Sequence, residues 1–206
     1  MKNLSTWFLV TSLLCIACAK HPNPPPAKAA GTKPTAIKAP GKIPAKVQPN
    51  PNQALQSYRK GIDFLTQQKL DQAESAFGEA QRIAPQLALP YYGLGVVYLK
   101  QNRAREAAGA FAKATALKPG FSQAFLGLGL ANRLAGDLRG AEKAYLSGIK
   151  YDGRQPNLHY NLGILYEVYL GQPEEALKQY QVYLSLAAQK DADERVKTWV
   201  SLLQKK

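Results

Sequence analysis

"YYGLGVVYL", Tyr91 to Leu99, reads as helix from its surroundings, because Lys100 to Ala116 is rich in Ala, Leu, Lys, Arg and Glu. Gly93 and Gly95 nevertheless lie inside it. A glycine in a helix interior costs about 1 kcal/mol relative to alanine, so two together need a reason. "SYRKGIDFL" from Ser57, "FLGLGLANR" from Phe125 and "HYNLGILYE" from His159 show the same feature. Gly61, Gly95, Gly129 and Gly163 follow one another at intervals of 34 residues. A fixed period of that size marks an array of stacked helical units.

Aligned from Ala54, Ala88, Ser122 and Pro156, the units share more than glycine. Ala73, Ala107 and Ala141 fall in register, and Ala176 comes one residue late. Phe77, Phe111, Tyr145 and Tyr180 keep a constant distance from those alanines, and Ala80, Ala114 and Gly148 follow. Pro85 and Pro119 close two units, with Gly153 at the same place in the third. Asn102, Gly136-Asp137 and Gly171-Gln172-Pro173 are turn signals between the helices of a pair. Small residues on one helix let its partner approach, and the packing offsets their poor helix propensity.

This pattern resembles the tetratricopeptide repeat. The second unit carries it most fully, with Tyr91, Leu94, Gly95, Tyr98, Ala107, Phe111, Ala114 and Pro119. The first departs at Ser57 and Lys60, and the third has Asn132 where tyrosine is usual. The fourth has Tyr183 in a small slot and one extra residue near "YLGQPEEA". The resemblance implies an all-α, right-handed αα solenoid of four helix pairs at 54–87, 88–121, 122–155 and 156–190. Residues 191–206 are expected to form a capping helix, with Val196, Trp199, Val200 and Leu203 on one face.

The N-terminus reads differently. Residues 1–17 carry Lys2, an apolar run from Trp7 to Ala17 and then small residues, which is a secretory signal peptide. "CIAC", Cys15 to Cys18, resembles the bacterial lipoprotein box and implies that Cys18 bears lipid as the first mature residue. Cleavage after Ala19 is the alternative. Ala19 lacks the aspartate associated with retention in the inner membrane, so the lipoprotein resemblance implies an outer-membrane lipoprotein facing the periplasm. Residues 18–52 hold nine prolines, six lysines and no acid. Such a segment cannot bury enough apolar surface to order itself, and we read it as a tether. Its mean span as a flexible coil is about 30 Å.

The net charge is +13 and the isoelectric point about 9.7. No nucleic-acid motif accompanies the charge, and nucleic acid is not an expected partner. Both cysteines, Cys15 and Cys18, lie near the N-terminus, so the repeats contain no thiol for a disulfide, a metal or catalysis. The "GLG" triplets lack the strand-loop-helix context of a phosphate loop. His159 occupies a slot for a large packing side chain, and His21 lies in the tether. No catalytic residue, cofactor site or metal site is expected, and the chain is read as non-enzymatic.

What remains is surface. In the resembling family the first helices line a concave groove that binds peptide segments. Here that face is expected to present Leu55, Tyr58 and Ile62, then Leu89, Tyr92, Val96 and Leu99. Leu126, Leu130 and Arg133 follow, then Asn157, Tyr160, Ile164 and Glu167. Tyr92, Leu126 and Tyr160 are its expected centre. The lysine and asparagine set that grips a C-terminal carboxylate in chaperone-binding members is missing, which favours an apolar helix or extended segment as the protein partner. The chain also resembles small repeat lipoproteins that assist secretin and type IV pilus assembly. The alternative is a structural adaptor, its lysine-rich tether on the cell wall and its repeats holding a peptidoglycan enzyme.

Overall fold

The computed structural model describes residues 51–187 and 193–203, all within one compact unit, Asn50–Lys206. The expected signal peptide, Cys18 and residues 18–50 of the tether lie outside the described residues. Helix α1, Pro51–Thr66, takes in the last two residues of the expected tether, 51 and 52. Pro51 suits a helix start because the first turn has no use for its missing N–H.

The order is then α2 (Leu70–Ile83), α3 (Ala88–Lys100), α4 (Ala104–Leu117), α5 (Ser122–Leu134) and α6 (Leu138–Tyr151). Helix α7 runs Pro156–Ile164 and continues as a π-helical turn, Leu165–Tyr169. Helices α8 (Pro173–Leu186) and α9 (Glu194–Leu203) complete the described chain. The helices pair as α1–α2, α3–α4, α5–α6 and α7–α8, and each pair packs on the next. No strand occurs among the described residues.

The seam between pairs explains the glycines. The Phe111 ring lies so close to Gly95 and Gly127 that a Cβ on either would stand 2.7 and 2.6 Å from it. Gly61 and Gly93 hold Phe77 in the same way, at 2.5 and 2.7 Å. Phe77 and Phe111 are thus each clasped by one glycine of their own pair and one of the next, whereas Tyr145 meets Gly129 of its own pair and has Asn161 at the corresponding place in the next. Phe77, Phe111 and Tyr145 are fully buried by this arrangement. In the fourth pair only the own-pair glycine is present: Gly163 abuts Tyr180, and α9 supplies the other side through Trp199, edge-on at 5.3 Å.

Turns repeat with the same period. Gln68 and Asn102 adopt φ 60°, and Gly136 φ 85°, at intervals of 34 residues. Gly171, at φ 63°, is one residue late. The extra residue of the fourth unit is absorbed inside the helix and not in the loop. The Leu170 N–H reaches back five residues to the Leu165 carbonyl (3.1 Å), and Gln172 N–H reaches Tyr166 (2.8 Å). Asp137 caps α6 by accepting from the Gly140 N–H at 2.8 Å.

Candidate partner-binding surface

The first helices α1, α3, α5 and α7 carry the expected groove residues at corresponding positions. Those residues are expected to face an open groove. Helix α3 has no open face between Pro90 and Val97, because every residue there is buried. Tyr92 is only 4% exposed, with its ring on Phe111 (5.7 Å) and Phe121 (4.9 Å). The expectation that Tyr92 faces an open groove is therefore corrected: its ring closes the contact between the second and third pairs. Ile62, Val96, Leu126 and Leu130 are buried as well, and Leu126 belongs to the core of the C-terminal half. These four are therefore not open anchors.

Tyr160 is half-buried and held inside the protein. Its ring packs on Tyr180 and Tyr183 at 6.3 and 5.1 Å, and its hydroxyl donates to Asp193 at 3.0 Å. Glu167 accepts from the Tyr180 hydroxyl at 2.6 Å. Burial, reinforced by that carboxylate, pushes the Tyr180 phenol above its ordinary range. Arg133 donates to the Tyr169 hydroxyl at 2.7 Å and lies over its ring at 5.1 Å. Tyr58 packs on Phe77 at 5.4 Å, and burial pushes its phenol up to about 12. Tyr58, Leu89, Leu99, Arg133, Asn157, Tyr160, Ile164 and Glu167 all keep partial exposure, and Leu55 is exposed.

The row opens at its C-terminal end. Leu126, Leu130 and Leu134 lie four residues apart and so share one side of α5. The first two are buried, whereas Leu134 is 53% exposed. In the next unit Val168 occupies the same place, 34 residues on, and is 51% exposed. Half-exposed Lys100 is their equivalent on α3. A rim results in which Leu99, Leu134 and Val168 alternate with Lys100, Arg133 and Glu167. The sequence reading listed Arg133 and Glu167 but missed Leu134 and Val168. Their 34-residue spacing was the available signal.

No group of three or more His, Cys, Asp or Glu among the described residues could hold a metal ion. His159 is buried, with Nδ1 at 2.9 Å from Gln179 and Nε2 at 3.1 Å from the Gly153 carbonyl, bracing a turn against α8. No described helix is long and apolar enough to cross a membrane.

A tetratricopeptide repeat family model matches residues 58–120 and again 92–156. The chain belongs to the tetratricopeptide repeat family. Solved structures agree with this family assignment in fold. A MamA fragment, 41 to end, from Desulfovibrio magneticus RS-1 matches at TM-score 0.60 with 21% identity, over 66% of this chain and 76% of that one. YrrB, a TPR protein with an unusual peptide-binding site, matches at 0.59 with 20% identity, over 74% and 75%. The first TPR of Spaghetti (RPAP3), bound to the HSP90 peptide SRMEEVD, matches at 0.58 with 18% identity, over 61% and 99%. No curated protein matches the sequence significantly. At these identities the likeness is one of fold, and the repeat fold is one that serves protein–protein interaction.

Proposed function

We propose that this repeat protein is a non-enzymatic binding scaffold of the bacterial envelope, anchored through lipid on Cys18 and holding an apolar helix or extended segment of a partner protein. The observation that carries the binding role is the rim at the ends of the first helices. Leu134 and Val168 leave half their surface in water although each continues a row that is otherwise packed. Exposed apolar surface of this kind marks interaction sites. The neighbouring charges suit orientation of the partner: Arg133 and Glu167 are held by tyrosine hydroxyls, so little order is lost when a second chain meets them.

The peptide-holding relatives support the class of partner. The lipoprotein box supports placement at the outer membrane, facing the periplasm, and the narrower role in secretin or pilus assembly follows from the lipoprotein resemblance. The test has two steps. Crosslinking in the envelope followed by mass spectrometry names the partner. Titration of that partner against Leu134→Asp and Val168→Asp should then show affinity lost by at least tenfold with the melting temperature nearly unchanged. Normal binding by both variants would remove the rim from the site, and membrane fractionation of Cys18→Ser tests the anchor separately.

A further inference from the structure

The outer helices of the solenoid carry a second surface that the binding reading does not use. Arg105 and Lys113 on α4, and Arg139, Lys143 and Lys150 on α6, are all exposed. Among the described residues none of the five has a carboxylate within ion-pair distance. The acids of the same two helices are engaged elsewhere. Glu106 pairs with Arg103 at 3.0 Å, and Glu142 accepts from the Tyr166 hydroxyl at 2.8 Å. Asp137 caps its own helix. Arg139 and Lys143, four residues apart, repel one another and weaken the helix slightly, so this pair does not serve the stability of the fold.

Apolar side chains sit within the charge. Leu146 is 45% exposed, between Lys143 and Lys150 on one face of α6. Tyr151 is 52% exposed and stacks on Phe125 at 5.6 Å. Cations around an exposed leucine and tyrosine are the composition of a surface that meets lipid head groups, with the apolar groups reaching toward the acyl boundary. The distribution along the solenoid supports a planar partner. Helices α4 and α6 together carry +3, counting Glu106 and Glu142 against the five cations. The flanking outer helices α2 and α8 are net acidic, with Asp71, Glu74, Glu79, Glu174 and Glu175 against Arg82 and Lys178. The positive charge thus lies on the middle outer helices of the array, with the acidic helices to either side.

We propose that the outer face of α4 and α6 seats on an anionic lipid bilayer, which turns the first-helix rim away from the membrane. The seating itself depends on neither the anchor nor the rim.

The unit Asn50–Lys206, which encloses its own core and lacks both tether and anchor, allows the test. It should float with vesicles of phosphatidylglycerol and phosphatidylethanolamine, release as salt rises, and ignore phosphatidylcholine vesicles. The combined variant Arg139→Gln, Lys143→Gln, Lys150→Gln should lose at least tenfold in partitioning with its thermal melt intact. Leu146→Ala should release at lower salt. Leu134→Asp, which tests the partner rim, should float normally. Wild-type protein that stays off anionic vesicles, or a triple variant that floats like wild type, overturns the proposal. So does binding to soluble polyglutamate without binding to vesicles, which would place an acidic protein on this face.

Discussion

A Cβ on Gly95 would stand 2.7 Å from the Phe111 ring, closer than any real side-chain contact allows. Phe111 is fully buried and clasped from the other side by Gly127, so it has nowhere to move. Gly95→Ala should therefore destabilise the protein despite alanine's better helix propensity, by about 1–3 kcal/mol as for other overpacked cores. Gly109 lies on the exposed side of α4, and a Cβ there meets nothing within 4 Å. Gly109→Ala should stabilise by about 0.5–1 kcal/mol. Paired chemical denaturation curves give both signs at once, and equal shifts would refute the clasp.

Tyr92 and Leu134 should behave oppositely. Tyr92 packs between Phe111 and Phe121, so Tyr92→Ala should cost about 3–5 kcal/mol, the range for a large buried aromatic. Leu134→Ala, at a half-exposed site, should change stability by less than about 0.5 kcal/mol. A thermal melt of each variant decides the matter. A mild Tyr92→Ala effect would return this tyrosine to the surface.

These two residues show where sequence reasoning stopped. The 34-residue recurrence of Gly95 and Phe111 identified helix pairs and the small-against-aromatic seam, because both contacts are forced by steric fit. Exposure along the first helices is another matter. It depends on how closely one pair stacks on the next, and no single residue encodes that distance. Tyr58 and Tyr160, in the outer units, stay half-exposed, while their equivalent Tyr92 in an inner unit is covered from both sides. The extra residue of the fourth unit was visible as a slip between Gly163 and Ala176. A slip can lengthen a turn or widen a helix, and the backbone does the second, at Leu165–Tyr169.

Tyr169 leads to another test. The widened turn leaves its hydroxyl at 2.7 Å from the Arg133 guanidinium. Tyr169→Phe removes only that hydroxyl, and a hydrogen bond to a charged group contributes about 1.5–3 kcal/mol at most, less where water can replace it. A loss near 1 kcal/mol is expected. If the rim orients a partner, affinity should fall as well, because Arg133 loses one of the contacts that fix it. An unchanged melt with unchanged affinity would show that the contact positions nothing.

The docking of α9 should depend on acid. Asp193 joins three parts of the C-terminal end. Its carboxylate accepts from the Tyr160 hydroxyl at 3.0 Å and from Arg195 at 2.8 Å, and its backbone N–H donates to the Tyr183 hydroxyl at 2.9 Å. The Arg195 side chain, then the backbone N–H and Tyr160, hold the carboxyl down to about 2 against burial. A carboxyl whose folded value is depressed adds stability above its unfolded value of about 4, and that contribution is lost as pH falls through the folded value. The window is thus pH 4 down to about 2. Trp199, edge-on to Tyr180 at 5.3 Å, reports the docking, and it is the sole tryptophan of the unit Asn50–Lys206. Its emission should shift to longer wavelength across that window in the wild type. Asp193→Asn cannot lose a charge there, so it should begin less stable at pH 6 and show a smaller further loss on acidification. Identical acid profiles for the two proteins would mean that Asp193 does not hold α9 in place.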